Sequence, residues 1–184
     1  IHFGPYERPR HMIFRAVTGN GQRWTVDPAA PVLEPDIPDD YRAPTVIIAP
    51  NGGWIMYLEN GNGEGFLRAV STNGRSWSLE PETPIFTPAA TWEDGRVAAP
   101  SAVVGADGVI RLYYEYGQGD GIAMVRAEDS DGLSFPGDEA SRLQVLTPEQ
   151  SSHEILWRNV TRVRSPYVIL SEDYRGEPMY RLYY

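Results

Sequence analysis

Cysteine is absent from this chain of 184 residues, which excludes disulfides and thiolate metal sites. Basic residues are few: 16 lysines and arginines stand against 25 aspartates and glutamates, for a formal net charge of −9. Because nucleic-acid-binding proteins carry basic patches, this balance argues against a nucleic-acid partner. No apolar run approaches the roughly 20 residues that span a bilayer, so no membrane association is predicted.

Helical periodicity is also missing, since no window of helix length repeats its apolar residues every three to four positions. The chain instead contains 11 Tyr, 5 Trp, 18 Gly and 16 Pro, a composition typical of short strands joined by many turns. At this length one domain with a real core is expected. The composition therefore predicts an all-β chain with almost no helix.

One unit occurs three times along the chain. Each copy has an Arg-Ala pair followed by an aromatic residue eight positions after the alanine: Arg15-Ala16 with Trp24, Arg68-Ala69 with Trp77, and Arg126-Ala127 with Phe135. Upstream, Ala43-Pro44 and Ala99-Pro100 precede Tyr57 and Tyr113 by equal distances. A repeat of 53 to 58 residues is typical of propellers and solenoids.

Each unit divides into four strand-like segments separated by turns rich in Gly, Asn and Asp. The first segment is the apolar run from Ala43 to Ala49 in one unit and from Pro100 to Val104 in the next. Four-stranded antiparallel sheets in tandem are the blades of a β-propeller. The sequence thus predicts one propeller region over 1–184, about three blades in all: a half blade at 1–35, blades at 36–90 and 91–148, and a half blade at 149–184. Because three blades leave open edges at both ends, we expect part of a longer propeller. The alternative is self-association through the open blade edges.

The segment from Pro100 to Phe135, which includes Tyr113-Tyr114, Gly121-Ile122-Ala123 and Asp131-Gly132, resembles the five-bladed propeller glycosidases of the arabinanase, invertase and levansucrase group. The likeness covers nearly the whole chain and rests on scaffold residues. It implies five blades in the complete fold and a carbohydrate-active function, with a small saccharide bound or cleaved at the central cavity. It also implies two carboxyl groups on inner strands, next to a proline, that flank the glycosidic bond.

The matching positions of this chain contain no carboxylate. They are Arg42-Ala43-Pro44, Val97-Ala98-Ala99-Pro100 and Arg164-Ser165-Pro166. Whether the chain is an enzyme therefore stays open. One alternative is a glycoside hydrolase whose catalytic carboxylates lie outside this chain; the other is a non-catalytic binding or interaction module.

Other residues near the predicted ligand-facing end are candidates for the site. The catalytic candidates are Asp40, Glu93, Asp94 and Glu115. The candidates for saccharide contact are Arg42, Trp92, Arg96, His153, Trp157 and Arg164. Several have a structural alternative: the repetition of Glu59 and Glu115 favours a structural or solvating role, and the two tryptophans are equally well explained as lids on the core. For Arg15, Arg68 and Arg126 we expect pairing with acidic neighbours.

His2, His11 and His153 do not have the clustered spacing of zinc ligands. No cofactor is therefore predicted, although a metal ion in the central channel stays open. The compartment is undetermined, with an extracellular or periplasmic location slightly favoured.

Overall fold

A computed structural model describes residues 11–35, 40–61, 63–152 and 162–184, and in those ranges the chain is all-β. Its helical elements there are one short helix, α1 (Pro148–Ser152), and single 3-10 turns at Thr91–Glu93 and Glu139–Ser141. The predicted all-β class is confirmed. No helix in the described ranges has the length and hydropathy needed to cross a membrane.

In these ranges the strands form four antiparallel sheets in which sequence neighbours are hydrogen-bonded. The first sheet contains β1 (Ala16–Val17) and β2 (Thr25–Val26). The second contains β3 (Tyr41–Ile48), β4 (Trp54–Asn60), β5 (Gly65–Ser71) and β6 (Ser78–Leu79). The third contains β7 (Val97–Val104), β8 (Ile110–Tyr116), β9 (Gly121–Arg126) and β10 (Leu143–Leu146). The fourth contains β11 (Tyr167–Glu172) and β12 (Pro178–Tyr183).

The first strands of consecutive sheets lie next to one another. β3 contacts β7, and β7 contacts β11, whereas the later strands of each sheet lie progressively farther out. This radial arrangement of four-stranded meanders is that of a partial β-propeller.

Aromatic side chains fill the space between the second and third sheets. Phe66 and Phe86 are stacked with ring centroids 5.6 Å apart, and Tyr114 meets Phe86 edge-on at 5.0 Å. Phe135, the repeated aromatic of the third unit, meets Tyr57 edge-on at 5.9 Å. Phe135 therefore packs between neighbouring sheets, whereas Trp24, its counterpart in the first unit, is 64% exposed.

The second and third sheets are also joined by the turn that the repeat predicts after β9. Tyr57 donates its hydroxyl hydrogen to Gly132 O at 2.8 Å, and Arg68 donates from Nη2 to Asp131 O at 3.0 Å. Within the turn after β5, the Asn73 side-chain oxygen accepts hydrogen bonds from the backbone N–H groups of Arg75 and Ser76. These turns thus satisfy their own backbone and join blades.

The repeated arginines pair as expected in two of three copies. Arg15 lies 2.7 Å from Asp27, and Arg126 lies 3.1 Å from Asp107. Arg68 differs, because its donors go to backbone carbonyls of two turns instead of to a carboxylate.

Apolar side chains are exposed on the second and fourth sheets. Val46 and Ile48 are exposed on β3, and Tyr167 and Tyr183 are exposed on the fourth sheet. Self-association through the open blade edges stays a prediction.

Candidate functional site

The inner strands share a distortion at the end where β3, β7 and β11 begin, which we name the leading end. Ala43, Ala99 and Ser165 have positive φ angles of 46°, 48° and 52°, and each precedes a proline. In β3 and β7 the pairing register shifts at this alanine, as in a β-bulge. Bulges re-aim side chains, and strained backbone clusters at functional sites.

Two repeated glutamates satisfy the backbone that this distortion leaves free. Glu59 Oε2 accepts a hydrogen bond from Ala99 N at 3.1 Å, and Glu115 Oε2 accepts one from Ser165 N at 3.3 Å. Both glutamates are buried, and each bond joins one sheet to the next. This geometry supports the structural role that their repetition suggested.

The Glu59 carboxyl that accepts the hydrogen bond from Ala99 also has a shifted pKa. Burial raises the pKa of its carboxyl above the usual value, although the Ala99 N–H, Arg96 and Arg42 all act in the opposite direction. Burial dominates because it removes water from the charged form. Glu59 therefore keeps its proton to higher pH than an exposed glutamate.

Asp40 and Arg42 form a pair at the leading end of β3. Arg42 Nη2 lies 2.6 Å from Asp40 Oδ2, and the backbone N–H of His11 donates to Asp40 Oδ1 at 2.8 Å. The His11 N–H and the Arg42 guanidinium lower the pKa of Asp40 to about 2. Asp40 is thus ionised at neutral pH and acts as an anchor for Arg42.

Arg164 occupies the same register position as Arg42, one residue before the positive-φ residue. Its Nη2 donates to Gln118 O at 2.8 Å, and its Nε lies 3.9 Å from Glu115 Oε1. The arginine stem lies against Gly119, where a β-carbon would come within 2.6 Å of Arg164 Nε. The glycine therefore makes room for this side chain in the hairpin before it.

Arg96 is held in a similar way but donates more hydrogen bonds. Its Nη1 donates to Glu115 Oε1 at 3.1 Å and to Gly117 O at 2.8 Å, and its stem lies against Gly63. The structure thus gathers five predicted site residues at the leading end: Asp40, Arg42, Arg96, Glu115 and Arg164.

Glu93 lies in the core, away from this group. Its side chain is fully buried, and Arg142 Nη1 lies 2.9 Å from both carboxylate oxygens. It also accepts hydrogen bonds from Tyr114 Oη at 2.7 Å and from the Ala89 and Ala90 amides. Both carboxylate oxygens of Glu93 are used in these structural contacts, so Glu93 is not part of the candidate site. The sequence did not point to Arg142, because neither Arg142 nor its partner Glu93 belongs to the repeated pattern.

The remaining candidates are dispersed. Trp92 packs edge-on against Tyr116, with ring centroids 4.9 Å apart, and joins the core as a lid. Asp94 is exposed and ends the 3-10 turn with a φ of 49°. His153 and Trp157 lie outside the described residues. In the part of the chain that the structure describes, no three acidic or histidine side chains are grouped to hold a metal ion.

No protein-family model and no curated protein sequence matches this chain. Among solved structures it is similar to a novel α-L-arabinofuranosidase from Clostridium thermocellum ATCC 27405, at 16% identity and a TM-score of 0.63, over 97% of this chain and 59% of the other. A thermostable family-43 glycoside hydrolase is also 16% identical, with a TM-score of 0.44, over 78% of this chain and 41% of the other. The chain thus spans 59% of the arabinofuranosidase. Its fold is a partial β-propeller similar to that of a glycoside hydrolase.

Proposed function

We propose that this chain is part of a carbohydrate-active, glycoside-hydrolase-like propeller and that it binds a saccharide at the leading end of its inner strands. The observation that carries the proposal is the pair Arg42 and Arg164, held at one register position of two inner strands. Their side chains are 35% and 46% exposed, so each is anchored yet reachable. Fixed polar groups at a concave centre are typical of ligand sites.

Binding is the better supported function, because the nearby carboxylates already have structural partners. Glycoside cleavage uses two carboxyls about 5–10 Å apart, one of which must give up a proton to the leaving group. Asp40 is ionised and bonded to Arg42, while Glu115 is bonded to Arg96 and to the next sheet. Neither is free to serve as the proton donor.

Cleavage is the second candidate, and Glu59 is the observation that favours it. Its pKa is raised, whereas that of Asp40 is lowered, and such divergent carboxyl environments mark an acid and an ionised partner. Its burial and its bond to Ala99 weigh against this role.

A glycan-binding experiment on the intact protein tests the proposal. We expect isothermal titration against a panel of oligosaccharides to find at least one ligand, and Arg164→Gln to weaken it roughly ten- to a hundredfold, as for one lost charge-assisted contact. Arg23→Gln is the control, since Arg23 is exposed on a distant outer turn.

Product release is followed in the same samples by chromatography. Hydrolysis that disappears in Glu59→Gln would favour the cleavage alternative. If no saccharide is bound or cleaved by the intact protein, the proposed function is wrong.

A further inference from the structure

A cavity of about 450 Å³ opens in the second sheet, between the start of β4, the end of β5 and the short strand β6. Tyr41, at the leading end of β3, pairs with Asn60, the last residue of β4, so the cavity lies at the opposite end of the sheet. Its volume is that of a small-molecule site, for which about 300–1,000 Å³ is usual. Neither Arg42 nor Arg164 is among the described residues that line it.

Exposed polar residues form one side of this cavity. Thr72, Ser76 and Ser78, which we name the hydroxyl rim, lie between the end of β5 and the start of β6, and Glu80 follows β6 directly. Their side chains make no hydrogen bond to any described residue. A hydroxyl both donates and accepts, whereas an ionised carboxylate only accepts. The rim and Glu80 can therefore bond to a ligand that carries several hydroxyl groups.

Arg68 forms a fixed, positively charged part of the cavity wall. It is 7% exposed, and its Nη1 and Nη2 donate to Glu80 O at 3.1 Å and to Asp131 O at 3.0 Å. Among the described residues that line the cavity, Arg68 and Glu80 are the charged ones. With one charge of each sign, the cavity favours neither an anion nor a cation, so a neutral ligand suits it.

The indole of Trp54 supplies an apolar surface in the same cavity. It is 36% exposed, and it is supported by Gly74, where a β-carbon would lie 3.5 Å from the ring. An aromatic ring offers a broad, flat apolar area, and an indole adds one N–H donor. Because one face of a sugar ring presents mainly C–H groups, a sugar can pack against such a surface while its hydroxyls point to polar neighbours.

We propose that this cavity is a second saccharide-binding site, in which a neutral sugar packs its C–H face against Trp54 and bonds its hydroxyls to the hydroxyl rim and Glu80. This second site rests on the proposed function for its class of ligand, but not for its position. An apolar surface beside a few polar groups is the usual make-up of a small-molecule site.

The test titrates neutral arabino-, xylo- and gluco-oligosaccharides into the intact protein by calorimetry, with tryptophan emission recorded in the same samples. We expect at least one of them to bind with an emission change that is missing in Trp54→Ala. Trp54→Ala should weaken this binding roughly tenfold and Glu80→Gln about three- to tenfold, as for a lost aromatic contact and a weakened hydrogen bond. Added salt should change the affinity less than about twofold, since the ligand is neutral.

The matched controls are Trp24→Ala and Glu177→Gln. Trp24 is 64% exposed and Glu177 lies in the exposed turn before β12, and neither lines the cavity, so both variants should bind like the unaltered protein. Melting curves verify that each variant is folded. If Trp54→Ala fails to fold, Glu80→Gln and Thr72→Ala decide, because both residues are exposed.

Arg164→Gln separates this site from the one at the leading end. Binding that Arg164→Gln weakens, but that Trp54→Ala and Glu80→Gln leave unchanged, removes the second site and supports the proposed function. The reverse pattern supports the second site and removes the leading end as the place of binding. Sulfate binding that Glu80→Gln strengthens and salt weakens, without binding of neutral sugars, would show an anion site and overturn the inference. Absence of binding to every saccharide removes both proposals.

Discussion

At the scale of single residues, Glu93 and Arg142 form the most deeply buried ion pair among the described residues. Their side chains are 0% and 2% exposed, and the Arg142 guanidinium also lies 4.2 Å from the centre of the Phe86 ring. Buried charges are tolerated only when they are paired and hydrogen-bonded. Glu93 meets this condition through Arg142, Tyr114 and two backbone amides.

Replacement of Arg142 by methionine should therefore strongly destabilise the protein. We expect Arg142→Met to lower the free energy of unfolding by roughly 3–5 kcal/mol, because it leaves the Glu93 carboxylate buried without its counter-charge. The measurement is urea denaturation followed by circular dichroism. The double variant Glu93→Gln/Arg142→Met should recover part of the loss, and Arg23→Met should have little effect. A loss below about 1 kcal/mol for Arg142→Met would contradict this interpretation.

This pair also shows what sequence alone could not predict at the residue scale. Glu93 and Trp92 precede an inner strand, so their position indicated the cavity. In the structure both side chains pack into the core. Glu93 contacts Tyr114 and Arg142, and Trp92 contacts Tyr116. The contacts join residues 21 to 49 positions apart, and no local pattern encodes them.

At the scale of elements, the extent of the inner strands could be predicted from the sequence, whereas their backbone distortion could not. Apolar runs and turn residues correctly indicated strands at Ala43 to Ala49 and Pro100 to Val104, which lie in β3 and β7 for most of their length. The left-handed backbone at Ala43, Ala99 and Ser165 was missed, because alanine and serine rarely adopt it. The X-Pro pair gave no signal for it, because a proline favours extended backbone at the residue before it.

Glycine at the distorted position should relieve the strain. We expect Ala99→Gly to raise the free energy of unfolding by up to about 1 kcal/mol, because the β-carbon penalty at φ 48° outweighs the entropy cost of glycine. Ala123→Gly is the matched control in β9 and should lower it by about 1 kcal/mol, since Ala123 is a buried strand residue without this strain. Urea denaturation measures both. Destabilisation of equal size in the two variants would show that Ala99 is unstrained.

At the scale of the whole molecule, several carboxyls share one response to pH. Hydrogen bonds from arginine, serine, threonine or backbone groups lower the pKa values of Asp40, Asp107, Asp138 and Glu149. A group whose pKa is lowered on folding stabilises the native state above its unfolded pKa and loses that contribution as pH falls. Glu59 acts in the opposite direction, because burial raises its pKa.

Because four carboxyl pKa values are lowered and one is raised, we expect the protein to lose stability in acid. We expect stability to fall as pH drops below about 4.5, with the Asp40 contribution lost between pH 3.8 and about 2. Urea midpoints at pH 6, 4, 3 and 2 measure this. Asp107→Asn should make the loss of stability at low pH less steep. A midpoint that stays constant from pH 6 to pH 2 would contradict the prediction.

The architecture itself was predictable from sequence, because a repeat with a period of this length constrains every strand at once. The three Arg-Ala pairs, the aromatic residues and the Asn-Gly turns each indicate the same meander, and the sheets follow it. The site was less predictable. The structure brings the predicted residues Arg42, Arg96 and Arg164 to one end, and their role there stays a prediction. Arg42 and Arg96 pair with residues of their own unit, whereas Arg164 donates to Gln118 of the neighbouring sheet.

The second and third sheets are joined by hydrogen bonds at two separate places, from Ala99 N on an inner strand to Glu59 and from Arg68 to Asp131 O farther out. Two bonds at separate places oppose rotation of one sheet about the other more than either bond would alone. Under the proposed function, a saccharide would therefore reach the leading end without separating these two sheets.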